Sequence, residues 1–217
     1  QANTNTDADV NTLREQFETI LQLDNVVGLS IATRSDAISD ECLEYLTELN
    51  KKTFLTIELG LQSMHNDTLR LINRGHDLKN FENCVKKLKE RNIRIVVHII
   101  NGLPFETEEM MIDTVKYLNS LNIDGIKIHM LHIIKDTALE TLYNKTHFHV
   151  LSKDEYIDIV INQLEYLNPK VVIERITGDP VKEDLIEPTW LIKKFCVLND
   201  IDKEMVKRDS YQGKRLQ

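Results

Sequence analysis

Glu58 lies inside a run of apolar residues, Phe54-Leu-Thr-Ile-Glu58-Leu-Gly60. A carboxylate in a buried strand is costly unless it is paired or meets a ligand. Strand alternation puts Thr56, Glu58 and Gly60 on one face, with Gln62 just beyond. Two readings follow: an ion pair with a neighbouring Arg or Lys, or a ligand contact made by Glu58 and Gln62 together. A second polar set is Asn101-Gly102-Leu-Pro104-Phe-Glu106-Thr107. Gly102 permits close backbone approach and Pro104 stiffens the turn. The plain alternative is a strand-to-helix loop capped by Thr107. His98, His129 and His132 also fall in apolar runs, where a lone histidine is usually a hydrogen-bonded core residue. Arg74-Gly75-His76 follows a helix expected over 67–73. Gly75 fits the residue after that helix, and Arg74 suits its C-terminal dipole. Otherwise Arg74 turns inward to an anionic group such as a carboxylate.

The elements that must position these groups are readable. Five β-branched runs, at 26–33, 54–60, 94–101, 126–133 and 171–177, predict mostly buried strands. Helical patterns separate them. Leu78, Phe81, Val85 and Leu88 share one helical face, as do Met111, Val115 and Leu118. Thr107 before two glutamates, and Ser152 three residues before Glu155, mark helix starts. This alternation predicts an α/β fold with a parallel sheet. A complete eight-stranded barrel takes about 250 residues, and this chain has 217. A partial, open (β/α) barrel over 1–177 fits better, with a C-terminal helical extension over 178–217. In such architectures functional groups collect at the C-terminal strand ends. Thr33-Arg34, Gln62, Asn101-Gly102 and His129 all fall there.

Composition narrows the classes. Apolar residues make up 41% and charged residues 29%, an ordinary globular balance. The net charge of −8 gives no overall basic surface for nucleic acid. Lys193, Lys194, Lys207, Arg208, Lys214 and Arg215 form either a local basic patch or a solvated charged face. No apolar run approaches a membrane span. Cys42, Cys84 and Cys196 are widely spaced and odd in number, so neither a disulfide framework nor a CxxC metal motif is expected. A reducing, cytoplasmic location follows.

Taken together, Glu58-Leu-Gly-Leu-Gln62-Ser63, Leu69-x-x-Ile-Asn-Arg74-Gly75-His76 and Ile100-Asn-Gly102-Leu-Pro104-Phe-Glu106-Thr107 closely resemble the elongator-type branch of radical SAM enzymes. Gln1-Ala-Asn-Thr-Asn-Thr6, Gly28 to Asp36, Asp124 to His129, Thr177 to Pro180 and Arg208 to Arg215 resemble landmarks of its YhcC-like bacterial Fe–S oxidoreductase subfamily. The resemblance spans essentially the whole chain. It implies a partial (β/α)6 barrel. It also implies a [4Fe–4S] cluster that binds S-adenosylmethionine (SAM) and cleaves it to a 5′-deoxyadenosyl radical, which abstracts hydrogen from a substrate.

Carried over by position, the resemblance places Thr33, Arg34, Glu58, Gln62, Arg74, Ile100, Gly102, His129, Leu131 and His132 around SAM. Glu58 and Gln62 fall beside the methionine or ribose, Arg74 by the carboxylate. Ile100 and Gly102 lie against adenine, and His129, Leu131 and His132 border adenine or substrate. The family's cluster cysteines lie near the first barrel strand, which this sequence lacks. The resemblance therefore implies a C-terminal piece that is inactive alone, its cluster ligands preceding residue 1. Partners implied are an electron donor and a tRNA, protein or small-metabolite substrate. The strand at 26–33 would be an edge, open to weak dimerisation or covered by residues 1–6. Two other classes stay open: a metal-dependent barrel hydrolase using His98, His129 and Glu58, and a non-catalytic binding module on a degenerate barrel.

Overall fold

A computed structural model describes residues 6–216, except the Lys194 side chain. Strands β1 (Gly28–Thr33), β2 (Phe54–Gln62), β3 (Arg94–Asn101) and β4 (Gly125–Met130) are followed by β5 (Ile133–Ile134), β6 (Val172–Arg175) and β7 (Leu185–Glu187). Helices are α1 (Val10–Leu21), α2 (Asp40–Asn50), α3 (Asn66–Leu71), α4 (Leu78–Lys89), α5 (Glu108–Ser120), α6 (Ala138–Thr146), α7 (Lys153–Tyr166) and α8 (Lys194–Lys207). The main sheet is five-stranded, in the order β1-β2-β3-β4-β6, and every pairing is parallel. Its strand order follows the chain and its two ends are not joined to each other, so it is an open α/β sheet.

Sequence periodicity explains the layers. On β2 the alternate residues Leu55, Ile57, Leu59 and Leu61 are fully buried. They share one core with Leu46 and Leu49 of α2 and Phe81, Val85 and Leu88 of α4. Val115 and Leu118 of α5 and Val160, Ile161 and Leu164 of α7 continue it. Each fully buried Leu or Phe stabilises by roughly 1.5–3 kcal/mol. The other, inner face of the same strands bears Ser30, Thr56, Glu58, Arg94, His98, Lys127 and His129.

Helix starts match their sequence signals. Thr107 accepts from the Met110 amide, and Ser152 and Glu155 form a reciprocal capping box. Three local expectations are corrected. The strand expected over 126–133 stops at Met130, so His132 lies in the connection beyond it. The helix expected over 67–73 ends at Leu71, and Asn73, with φ +52°, takes the left-handed position after it. The Arg74 amide closes that turn on the Leu69 carbonyl. Gly75, also left-handed at φ +86°, instead admits Arg34: a Cβ there would lie 2.8 Å from Arg34 Nη2.

The antiparallel pair β5–β7 was not signalled by the sequence. It ties the segment after β6 to the chain leaving β4. Residues 210–215 lie across the end of α7: Gly213 and Arg215 amides donate to the Leu164 and Glu165 carbonyls. β1 is an edge, as expected, and Val27 beside it is exposed. Residues 1–5, expected to cover that edge, lie outside the described residues, while Thr6 bonds Thr33 and the Ala37 carbonyl. No helix among the described residues is long and apolar enough to cross a membrane.

Candidate functional site

The inner face has a lower layer of paired charges. Glu58 accepts from Ser30 Oγ at 2.5 Å, His98 Nε2 at 2.7 Å and Lys127 Nζ at 2.6 Å. These contacts, the His98 hydrogen bond foremost, hold its carboxyl well below the usual range despite burial. Nearer the strand starts, Arg94 pairs with Glu174 at 2.9 Å and donates to Thr56 Oγ1 at 3.2 Å. Glu58 therefore carries the ion pair of the first reading, and its oxygens are already engaged by three neighbouring strands.

The C-terminal rim differs. β2 is irregular between Gly60 and Gln62, and Gln62 has φ +73°. Such a bulge re-aims the side chain that follows. Arg74 Nη2 donates to the Gly60 carbonyl at 2.6 Å. A Cβ on Gly60 would collide with that guanidinium, so only glycine lets Arg74 settle against the strand. Arg74 Nε is buried without a partner. Arg34, close enough to depress the Arg74 pKa after burial itself, gives its Nε to Asp36 at 2.9 Å and its Nη2 to the same carboxylate. Two half-buried guanidiniums thus lie near one carboxylate, which bonds only Arg34 of the two. Beside them opens a cleft of about 640 Å³ lined by Asp36, Asn66, Arg74, Gly75 and His76.

On the other side of the rim, Gly102 has φ +82° and its amide meets Met111 Sδ at 3.1 Å. The turn is fastened twice: Ser63 bonds Glu106, and Asn101 exchanges side-chain hydrogen bonds with Gln163. Ile100 and the buried Leu131 join a small apolar cluster with Leu103 and Phe148. Ile100 pairs across the sheet with His129. His129 stacks on His98 with ring centroids 5.5 Å apart. Burial, then His98 and nearby cations, push His129 down to about 4. Burial also lowers His76 and His132. The Nε2 atoms of His76, His129 and His132 are all buried and unpartnered.

The structure thus brings Arg34, Gln62 and Arg74 together around Gly60 and Gly75. Ile100, Gly102, His129 and Leu131 gather at the ends of β3 and β4. Thr33 is buried against Thr6 at the end of β1, His132 lies against Gly178, and Glu58 sits below the rim. His98 and Lys127 belong to the Glu58 network. Lys127 carried a readable signal, alternating with His129 along β4, but its partner was not readable. His76 joins the rim through its unpartnered nitrogen. Among the described residues no three His, Cys, Asp or Glu side chains group as a metal site. The hydrolase reading therefore has no ligand set here.

Comparison with known proteins agrees with this architecture. Residues 3–118 match the radical SAM superfamily, and 123–207 match the Radical_SAM C-terminal domain. The chain is 48% identical over its full length to YtqA of Bacillus subtilis, covering 67% of that protein. It is 29% identical over 94% of its length to YhcC of Escherichia coli K12, covering 66% of it. The chain thus spans about two thirds of these relatives. The structure of Methanocaldococcus infernus Elp3, lacking its N-terminal residues, superposes with a TM-score of 0.75 at 23% identity, over 86% of this chain and 43% of that one. At that identity the likeness is one of fold. With a family match over more than half its length, the chain belongs to the radical SAM superfamily.

Proposed function

We propose that the rim binds SAM and that the chain is the SAM-binding part of a radical SAM enzyme. The observation that carries this is Arg74: a half-buried guanidinium bonded to the Gly60 carbonyl, its Nε unpartnered, beside a second arginine already committed to Asp36. A ligand carboxylate completes that set, and a methionyl α-carboxylate has the right planar geometry. Gln62, turned out by the bulge, suits the ribose hydroxyls. Ile100 and Leu131 give an apolar wall for the purine, and the left-handed Gly102 lets the backbone come close. His129 and His132 supply unpartnered nitrogens, and Thr33 closes the β1 side. Glu58 orders the layer below. The working unit is 1–177, with 178–217 packed beside it. Once bound, SAM would supply the radical chemistry: one electron from a reduced [4Fe–4S] cluster would split it into methionine and a 5′-deoxyadenosyl radical. This chain's residues bind and orient the nucleoside and keep water from it.

The cysteines do not suit a cluster. Cys42 and Cys84 are buried, and burial pushes their thiols up to about 11 and about 12, against the thiolate form that iron needs. Cys196 is exposed on α8. We infer that cluster ligands lie outside these residues, that an electron donor serves the longer protein, and that this chain binds SAM without cleaving it. The C-terminal charges give tRNA little support. Lys207 and Arg208 pair with Glu204, Arg208 also with Asp158, and Arg215 with Glu165. Weak pairing of two chains at the β1 edge remains part of this reading.

Calorimetric titration of the 217-residue chain with S-adenosylhomocysteine tests the site. Saturable one-to-one binding is expected, with no cleavage of SAM under reductant. No binding would overturn the assignment. A [4Fe–4S] cluster assembled on the chain's own cysteines would overturn the division of labour.

A further inference from the structure

The Glu58 network also reaches the rim. Glu58 already has a full positive charge in Lys127 Nζ at 2.6 Å. A carboxylate only accepts, so the His98 nitrogen that meets it at 2.7 Å, Nε2, is the one that carries a hydrogen. That bond pins one edge of the His98 ring. The face of the ring lies over His129, with 29° between the planes. His129 stands two pairs further along the ladder than His98, opposite Ile100, and its Nε2 is unpartnered.

We propose that Glu58 and His98 are positioning residues for His129: Glu58 fixes the His98 ring through its Nε2–H, and the stacked His98 orients the His129 ring at the rim, its open Nε2 ready to hydrogen-bond the bound ligand. The groups facing His129 agree. They are His98 on β3, Lys127 on β4, Arg175 on β6 and His132 beyond β4, and each opposes a charge on it. A protonated ring would stand among cations. A neutral one keeps both a donor and an acceptor for the ligand. The ligand's identity rests on the SAM reading; the coupling of the rings does not.

His98 can be split into its two roles. His98→Gln keeps an N–H donor for Glu58 and removes the ring. His98→Phe keeps a ring over His129 and removes the donor. The 217-residue chain and both variants are followed by 1H–15N correlation of the histidine rings between pH 4.5 and 8, with and without S-adenosylhomocysteine. Wild type is expected to carry the His98 hydrogen on Nε2 and to keep His129 uncharged through most of that range. In His98→Gln, His129 titrates at higher pH, and S-adenosylhomocysteine binds about threefold to tenfold more weakly, the range of one hydrogen bond. His98→Phe shows the same weakening, because its ring is no longer pinned, and serves alone if the glutamine variant fails to fold.

If His129 titrates alike in wild type and in the variants, the positioning role is wrong. Equal affinity in wild type and His98→Gln overturns it too, while leaving the SAM site standing. If wild type does not bind S-adenosylhomocysteine, the SAM reading fails, and the titration comparison still decides the coupling.

Discussion

Two levels of the inner face carry similar side chains and treat them differently. In the lower layer every named group has its counterpart: Lys127 and His98 on Glu58, Arg94 on Glu174. At the rim, Arg74 and the histidines 76, 129 and 132 each keep a buried nitrogen with no partner. Unmet hydrogen bonds of this kind cost stability, so their grouping at one end calls for a cause. The lower layer is a finished structure. On the proposed reading the rim is finished only when a ligand supplies the partners, and the C-terminal strand ends are where parallel architectures place one. On that reading, folding and binding divide one face between them.

Breaking the lower layer should cost most. Glu58→Leu leaves the Lys127 ammonium, whose side chain is 19% exposed, with only the more distant Glu174 carboxylate at 3.6 Å. Loss of one partner of a mostly buried pair costs about 3–5 kcal/mol. Urea unfolding should show this, and a loss under about 1 kcal/mol would mean these charges are solvated. Adding Lys127→Met should recover most of it, since apolar pairs often replace buried ion pairs at little cost. The helix-covered face gives the control. Leu88 has no exposed surface, and Leu88→Ala should cost about 2–5 kcal/mol with no charge involved. A negligible loss there would mean that the α4 face is not core.

The two levels should also separate by pH. His129 is lowered to about 4 in the fold and returns to near 6.5 when unfolded. The unfolded chain therefore takes the proton first. The contribution is full above about pH 6.5, is lost as pH falls toward 4, and amounts to about 3 kcal/mol. His76 and His132 act in the same direction. Glu58 is depressed, so its contribution persists to lower pH and goes only as pH falls below about 4.5. Urea midpoints should drop between pH 7.5 and 5, and His129→Gln should flatten that drop. A midpoint unchanged over this interval would mean that the rim histidines are solvated.

These contrasts were only partly legible in the sequence. Helix faces such as Phe81, Val85 and Leu88, and strands such as β2, follow from periodicity because burial enforces it. Glu58 was conspicuous as a carboxylate among apolar neighbours. Its partners were not, because Ser30, His98 and Lys127 come from three other strands whose register only the folded sheet defines. Local rules also competed. Gly75 looked like the residue after α3, yet Asn73 took that position because the helix ended earlier. The apolar run at 126–133 read as one strand. Its alternation breaks at Leu131, which is buried directly after the buried Met130. Unpartnered nitrogens leave no mark in a sequence, since they are defined by what fails to reach them.

The smallest expected change is the one most specific to the rim. Arg74→Ala removes a guanidinium whose hydrogen bond is to the Gly60 carbonyl, and it also removes a buried unpartnered Nε. The two effects oppose each other, so stability should move by no more than about 1 kcal/mol. Affinity for S-adenosylhomocysteine should fall about tenfold, which is about 1.4 kcal/mol. Arg74→Lys should recover only part of this. A single ammonium cannot hold both the Gly60 carbonyl and a ligand carboxylate as the forked guanidinium can. Calorimetry on the three chains reads all of this at one pH. If affinity is the same in all three, the partner missing from Arg74 is water. The difference between the two levels is then one of hydration, and the rim loses its claim to the ligand.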